Sequence, residues 1–315
     1  MPSVPPSPSA PSDISSGVLS GSLTLTLLPG AKRLLELHAR ELPQRDELCG
    51  PFCGSLALRT AELSAPAESN ISAGARPLLD QDAVALAAGS VISAEPDPSI
   101  LPFGEAGRRD YRLALPSVAD SALSGTTVAG LIDAIGELSD GRVQAIPYAG
   151  PWTSDTLAGL FDLAAACERP ATLVANHATR YLWGTHPRHD QLLDYLLDGA
   201  HELGPQPDWD VGHFACVVAR LDGPRGSVYA LADTYPTLGL AGLHVQPRER
   251  LVPALERPAG PAAGGMIAIV CAEDAPALRA GAESVGLREQ LWDNGTATAG
   301  SLSGVHEGAA QGTST

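Results

Sequence analysis

Three residue types that together carry out acyl transfer occur in widely separated parts of this chain: a cysteine, a histidine and an aspartate. Cys49 lies in the segment QRDELCGPFCGSLALRT, and His213 and Asp233 lie on the two arms of a later predicted hairpin. In this chemistry a thiolate attacks a carbonyl carbon, an imidazole carries the proton and a carboxylate orients the imidazole. These three residues are therefore the first candidates for a reactive site.

The hairpin by itself predicts that the histidine meets the aspartate. Two strand-like runs flank LDGPRG, and the Gly and Pro residues there indicate a turn. A turn centred in that segment sets His213 opposite Asp233 or next to it, and facing residues of an antiparallel pair share one face. A slip of one residue would separate them, and a histidine bonded to a nearby backbone group is the alternative interpretation.

Cys49 and Cys53 lie at the predicted start of a helix, where four roles are open: metal ligation, redox chemistry, packing and nucleophilic attack. Pro51 suits the first turn of a helix, and the free N–H groups of a helix N-terminus stabilise a thiolate. Cys53 falls one turn later on an inward face, which favours a buried structural thiol. The Cys-x3-Cys spacing is neither the usual metal knuckle nor the usual redox motif, so Cys49 is the preferred nucleophile.

The composition argues against several other classes of protein. Of 315 residues, 44% are hydrophobic and 4% aromatic, and the formal net charge is −16. Nucleic acids and anionic membranes attract basic proteins, so we expect neither of them as a partner. A basic or apolar peptide is more compatible with this charge. Five scattered cysteines and an N-terminus without signal-peptide order predict a cytoplasmic protein with reduced thiols. No apolar run reaches the roughly 18 residues of a membrane span.

Other polar clusters carry weaker hypotheses. Zinc is conceivable at His177, His186, His189 and Asp190, but the spacing matches no closed structural site, and a solvated loop is the favoured interpretation. Trp209 precedes the histidine strand and either roofs a substrate channel or packs in the core. No G-x-S-x-G, Walker or G-x-G-x-x-G motif occurs, which disfavours serine hydrolases and nucleotide-binding proteins. We expect neither a metal nor another cofactor.

The remaining patterns predict an α+β domain between two disordered tails. The predicted tails are residues 1–20, rich in Pro and Ser, and residues 295–315; the domain spans residues 21–294. Helices dominate early and an antiparallel sheet comes late. Predicted helices cover residues 30–42, 51–63, 80–89, 126–138, 154–168, 191–203 and 276–292, and predicted strands cover 142–149, 171–177, 212–220, 227–233 and 264–274.

These segments together resemble the papain-like cysteine peptidases, and most closely the double-glycine leader peptidases and their free-standing peptidase-like relatives. In that family a Cys-Gly pair opens a helix, often after an upstream glutamine, and a Gly-His-Phe-type strand returns to an Asp followed by Pro. The matching residues here are Gln44, Cys49, Gly50, Gly212, His213, Phe214, Asp233, Tyr235 and Pro236.

The resemblance implies a papain-like fold, with an N-terminal helix carrying the cysteine packed on a late antiparallel sheet carrying the histidine and aspartate. It implies Cys49 as nucleophile, His213 as general base and acid, Asp233 as the orienting carboxylate and Gln44 as the oxyanion donor. Cys49 and His213 lie farther apart than in a compact leader peptidase, so we expect a large insertion at about residues 65–205.

The function that the resemblance implies is a cysteine peptidase or amide acyltransferase acting on a peptide. Its expected setting is the maturation of a ribosomally made peptide product, with a protein partner in a peptide-modifying complex. Two alternatives keep the fold without hydrolysis. One is a non-hydrolytic partner or cyclase in peptide modification, and the other is a catalytically silent scaffold.

Overall fold

The fold is α+β, as the sequence predicts. The computed structural model describes residues 22–62, 79–258 and 262–297 of the chain. Apart from residues 295–297, the predicted terminal tails lie outside these ranges. Within them, helices cover one large antiparallel sheet, and none of these helices is both long and apolar enough to span a membrane.

The sheet is built from strands drawn from the whole length of the chain. In chain order, all the strands of the described residues are β1 (Thr24–Leu27), β2 (Ile92–Ser93), β3 (Ser117–Val118), β4 (Val143–Tyr148), β5 (Ala171–Ala178), β6 (Gly212–Asp222), β7 (Ser227–Ala232), β8 (Leu243–Pro247) and β9 (Gly265–Cys271). The main sheet contains all of them except β2 and β3. Their order is β4-β9-β5-β6-β7-β8, with β1 also paired to β6, and all of these pairings are antiparallel. Strands β2 and β3 form a separate short parallel pair. The long β6 is therefore the centre of the sheet.

Three of the helices begin at a side chain that caps them. They are α1 (Ala31–Glu41), α2 (Cys49–Glu62), α3 (Gln81–Ala87), α4 (Val128–Leu138), α5 (Ser154–Ala165), α6 (His189–Asp198), α7 (Arg248–Glu256) and α8 (Ala275–Ser284). Asp80, Thr127 and Thr153 accept backbone N–H groups in the first turns of α3, α4 and α5, which satisfies donors that a helix leaves free.

Both faces of the sheet are buried, and alternate residues of β6 show this. Phe214 and Cys216 pack in a hydrophobic cluster with residues of α1, α2, α3 and α4. Ala215 and Val217 pack in a second cluster with residues of α5, α7 and α8. Because side chains of a strand alternate between faces, the described residues form three layers, helix on sheet on helix.

Three sequence predictions about organisation need correction. The stretch of about 65–205, expected to be an insertion, contributes β4 and β5 to the sheet, so these parts belong to the central domain. The sheet is therefore not confined to the late chain. The helix expected at residues 276–292 ends at Ser284, where the chain turns through Gly286 with a φ of 90°.

Candidate active site

Cys49 is the first residue of α2, and its side chain is partly exposed. The helix begins at Cys49 itself, two residues before the predicted start, because the Phe52 N–H bonds to the Leu48 carbonyl at 2.8 Å. The thiol therefore lies where the free N–H groups of the helix favour a negative charge. Cys53, one turn later, is fully buried as predicted, and burial raises the pKa of its thiol well above the ordinary value.

His213 and Asp233 are in contact, as the hairpin predicts. The Nε2 atom of His213 donates to Oδ1 of Asp233 at 2.8 Å, and both side chains are buried. The two residues are not directly opposite each other, because the last paired residues are Cys216 and Ala232. Continuing that register puts Asp233 opposite Ala215, so its side chain reaches His213 diagonally on the same face.

The charge of Asp233 keeps the imidazole of His213 protonated. Burial lowers the pKa of His213, but the Asp233 carboxylate, with a contribution from a side-chain hydrogen bond to Cys49, outweighs burial and raises it to about 10. Burial likewise raises the pKa of Asp233, and His213 and His244 outweigh it, so this pKa is well below its usual value. Because Nε2 of His213 is bonded to Asp233, Nδ1 is the ring atom left for the Cys49 thiol.

Further hydrogen bonds fix the orientation of the Asp233 carboxylate. Its Oδ2 accepts from Nε2 of His244 at 3.0 Å, and its Oδ1 also accepts the backbone N–H of Thr234 at 2.6 Å. The Nε2 atom of Gln246 donates to Nδ1 of His244 at 3.0 Å, and the Gln246 amide makes two bonds with the backbone of Trp183. A carboxylate held this way can turn the imidazole toward one direction only.

Gln44 lies beside the same opening. Its backbone N–H donates to the carbonyl of Thr234 at 2.9 Å, which ties the segment before α2 to the residue after Asp233. Its side chain is buried, and Oε1 has no hydrogen-bond partner among the described residues. Gln44, Cys49 and His213 all line one pocket of about 210 Å³. The structure thus brings three of the four predicted residues to a common cavity, with Asp233 behind His213.

Two aromatic side chains enclose the His213 ring. Trp209 lies edge-on to it, with ring centroids 4.7 Å apart, and Tyr235 stacks at 6.3 Å with an interplanar angle of 19°. Both rings also line the pocket. Trp209 is anchored by a 3.0 Å hydrogen bond from its Nε1 to the carbonyl of Ile100. The rings exclude water from His213, which strengthens its interaction with Asp233.

The other predicted clusters lie outside this site or take a different role. His186 is exposed near the start of α6, and His177 is buried on β5 directly opposite His213. Among the described residues, no three His, Cys, Asp or Glu side chains are placed to hold a metal ion. His177 instead packs its ring 5.8 Å from that of His213.

Sequence reasoning missed two residues of the site, His244 and Arg257. His244 lies on β8, where the alternation in LHVQP puts His244 and Gln246 on one face; this period-two pattern could have identified the strand. Arg257 follows α7 directly and lines the pocket. Nothing in the local sequence separates Arg257 from the other basic residues near it.

Comparison with known proteins identifies a family but no characterised relative. No curated protein matches the chain. A family model described as a family of unknown function, DUF6885, matches residues 28–293. This match includes Gln44, Cys49, His213 and Asp233, together with all the strands of the main sheet except β1. Because the model covers most of the chain, the protein belongs to the DUF6885 family of unknown function.

Proposed function

We propose that the protein is a papain-like cysteine peptidase or amide acyltransferase that acts on a peptide, with Cys49 as its nucleophile. The observation that carries the proposal is the 2.8 Å contact between His213 and Asp233 in the wall of a pocket that Cys49 and Gln44 also line. A cysteine at a helix N-terminus, packed against an antiparallel sheet that bears the histidine and aspartate, also supports a papain-like arrangement.

The proposed reaction begins from an ion pair between the Cys49 thiolate and the protonated imidazole of His213. The thiolate attacks the carbonyl carbon of a peptide amide, and the carbonyl oxygen becomes an oxyanion. The Gln44 side-chain amide and the Cys49 backbone N–H donate to that oxygen. The C–N bond then breaks as the His213 imidazolium gives its proton to the leaving nitrogen, which produces a thioester on Cys49 and a free amine.

The second half of the reaction regenerates the pair of Cys49 thiolate and His213 imidazolium. His213 removes a proton from water or from an acceptor amine, which attacks the thioester carbonyl and releases Cys49. Water yields a carboxylic acid, and an amine yields a new amide. Asp233 stays ionised throughout and orients His213. In keeping with the sequence prediction, the proposed setting is cytoplasmic maturation of a ribosomally made peptide, together with a protein partner.

The first test is the alkylation of Cys49 by iodoacetamide at pH 6, compared with the other four cysteines by mass spectrometry. An ordinary thiol is less than about 1% thiolate at this pH, so selective, rapid labelling of Cys49 is expected only if His213 activates it. We expect His213→Ala to slow labelling of Cys49 by up to about 100-fold, whereas His186→Ala, on an exposed segment, leaves the rate unchanged.

The outcomes separate the proposal from its alternatives. Selective labelling that depends on His213, together with cleavage of peptide substrates, supports the peptidase. The same labelling with amide formation but no hydrolysis supports a cyclase or acyltransferase. If Cys49 labels no faster than a cysteine in the unfolded chain, the catalytic proposal fails and a silent scaffold remains.

A further inference from the structure

A buried arginine in the pocket has no counter-ion among the described residues. Arg257 is 8% exposed and lines the cavity together with Cys49 and His213. Its Nη2 donates to the backbone carbonyl of His177 at 3.2 Å, and its Nε is buried with no partner within the described part of the chain. A buried cation without a paired anion is costly, so the site is incomplete without a negative group.

The fold makes space for this guanidinium. A Cβ atom on Gly212 would lie 3.3 Å from Nη1 of Arg257, so a side chain at that position would crowd the guanidinium. Arg257 itself ends α7 in a left-handed backbone conformation with φ of 48°, as residues that end helices commonly do. The glycine before His213 thus leaves space for the guanidinium next to the histidine strand.

The charges that face Arg257 leave it available for a ligand. Glu47 is the acidic residue that lines the same pocket, and its carboxylate accepts two hydrogen bonds from Ser93. Burial lowers the pKa of Arg257 to about 10, and the charge of Cys49 acts in the opposite direction. The guanidinium therefore stays protonated at neutral pH and acts electrostatically on the Cys49 sulfur across the cavity.

Arg257 is held close to the strand that carries His213. Its guanidinium lies against Gly212, the residue before His213, and bonds to the carbonyl of His177, which pairs with His213 across β5 and β6. A group bound to Arg257 therefore lies in the same cavity as Cys49 and His213. The cavity of about 210 Å³ is smaller than the roughly 300–1,000 Å³ typical of ligand pockets, which suits a short group.

We propose that Arg257 forms an anion-binding subsite that holds a carboxylate of the peptide substrate beside Cys49 and His213. This inference rests on the proposed function for the peptide nature of the ligand, but the subsite itself is tested without turnover. The carboxylate is either a C-terminal α-carboxylate or an acidic side chain. A guanidinium binds either one through paired, charge-assisted hydrogen bonds.

The test compares two alkylating probes that differ in charge, iodoacetate and iodoacetamide. For Cys49 in the folded protein, we expect the ratio of iodoacetate to iodoacetamide rates to exceed the ratio in the urea-unfolded protein by about tenfold, the contribution of one hydrogen bond to a charged group. Because the protonated His213 also attracts iodoacetate, the deciding comparison is Arg257→Gln, in which the ratio is expected to fall by about tenfold from the native value. Arg188→Gln, which removes an exposed arginine at the start of α6, is the matched control and keeps the native ratio.

A second measurement needs no reactive thiol. Calorimetry with N-acetylalanine, N-acetylglutamate amide and N-acetylalaninamide separates an α-carboxylate, a side-chain carboxylate and a neutral ligand. Binding of either carboxylate, without binding of the neutral amide, supports the subsite and identifies its source. If Arg257→Gln does not fold, calorimetry of the native protein with the carboxylates and the neutral amide still decides whether an anion is bound.

The two proposals fail in different ways. A native rate ratio equal to the unfolded ratio, with no preference for carboxylates in calorimetry, overturns the anion subsite even if iodoacetamide labels Cys49 rapidly. Slow labelling of Cys49 by iodoacetamide, with carboxylate binding that depends on Arg257, overturns the catalytic proposal and leaves the subsite standing.

Discussion

At the scale of single residues, the site combines side chains whose hydrogen bonds are all made within the protein with side chains in the pocket that have unused hydrogen-bonding atoms. Asp233 is held by His213, His244 and the Thr234 N–H, so its carboxylate has little freedom to turn. Gln44 has the opposite character, because its buried Oε1 lacks a partner in the described residues. Groups left open in this way are the ones that a substrate can engage.

Gln44→Ala separates alkylation from acyl transfer. Alkylation of a thiolate forms no oxyanion, whereas attack on a carbonyl does, so we expect the variant to label normally with iodoacetamide. Its acylation by a peptide thioester or an activated amide is expected to fall about 100- to 1000-fold, as measured by mass spectrometry of the acyl-enzyme.

The control for this prediction is Gln290→Ala, whose side chain is exposed and away from the pocket. It should behave like the native protein in both assays. Equal loss of alkylation and acylation in Gln44→Ala would indicate that Gln44 supports the local structure and has no oxyanion role.

At the scale of elements, the position of Cys49 depends on how closely α2, α3 and α4 pack. The interface between α3 and α4 has room for no side chain at Gly130, since a Cβ there would lie 2.2 Å from the backbone carbonyl oxygen of Ala88. In contrast, a Cβ on Gly136, on the same helix, would meet no atom within 4 Å. Close packing against α3 therefore requires a glycine at position 130 of α4, whereas the space around position 136 does not require one.

Gly130→Ala is expected to lower the free energy of unfolding by about 1–3 kcal/mol, because a backbone atom must move to admit the methyl group. Gly136→Ala is its matched control and should raise the free energy of unfolding by about 0.5–1 kcal/mol through helix propensity. Urea denaturation of both variants measures this difference. Stabilisation in both would show that α3 and α4 separate at little cost.

At the scale of the whole molecule, two buried histidines make stability depend on pH in opposite directions. The pKa of His213 is about 10 and that of His177, lowered by burial and by the charge of His213, is about 3, against an ordinary value of 6.5. Between pH 6.5 and about 10 the folded protein binds the extra proton at His213, so stability falls as pH rises. Between about pH 3 and 6.5 the unfolded chain binds the extra proton at His177, so stability falls as pH decreases.

We therefore expect the free energy of unfolding to be highest near pH 6.5. His177→Phe keeps a ring opposite His213 and removes the titrating group, so the loss of stability between pH 6.5 and 3 should become shallower. Urea denaturation at a series of pH values measures both limbs, with His186→Ala as a control that keeps the native profile. An unchanged acid limb in His177→Phe would contradict this account of His177.

The sequence by itself determined much of the local structure and the identity of the candidate residues. Hydrophobic periodicity and capping residues predicted α1 to α5 and strands β4 to β7 and β9, because these signals act over a few neighbouring positions. The spacing of Cys49, Gly50 and Pro51 likewise identified the start of α2 to within two residues. The predicted hairpin and the family resemblance selected His213 and Asp233 as its partners.

Only the tertiary structure decided how these elements meet. The shift in register between Val217 and Ala219 put Asp233 on the same face of the sheet as His213, and no local pattern predicts such an irregularity. The membership of β4 and β5 in the sheet, the bond from His244 to Asp233 and the burial of Arg257 all depend on residues far apart in the chain. Their free energies arise from packing and desolvation in the assembled fold, and the local sequence does not encode those environments.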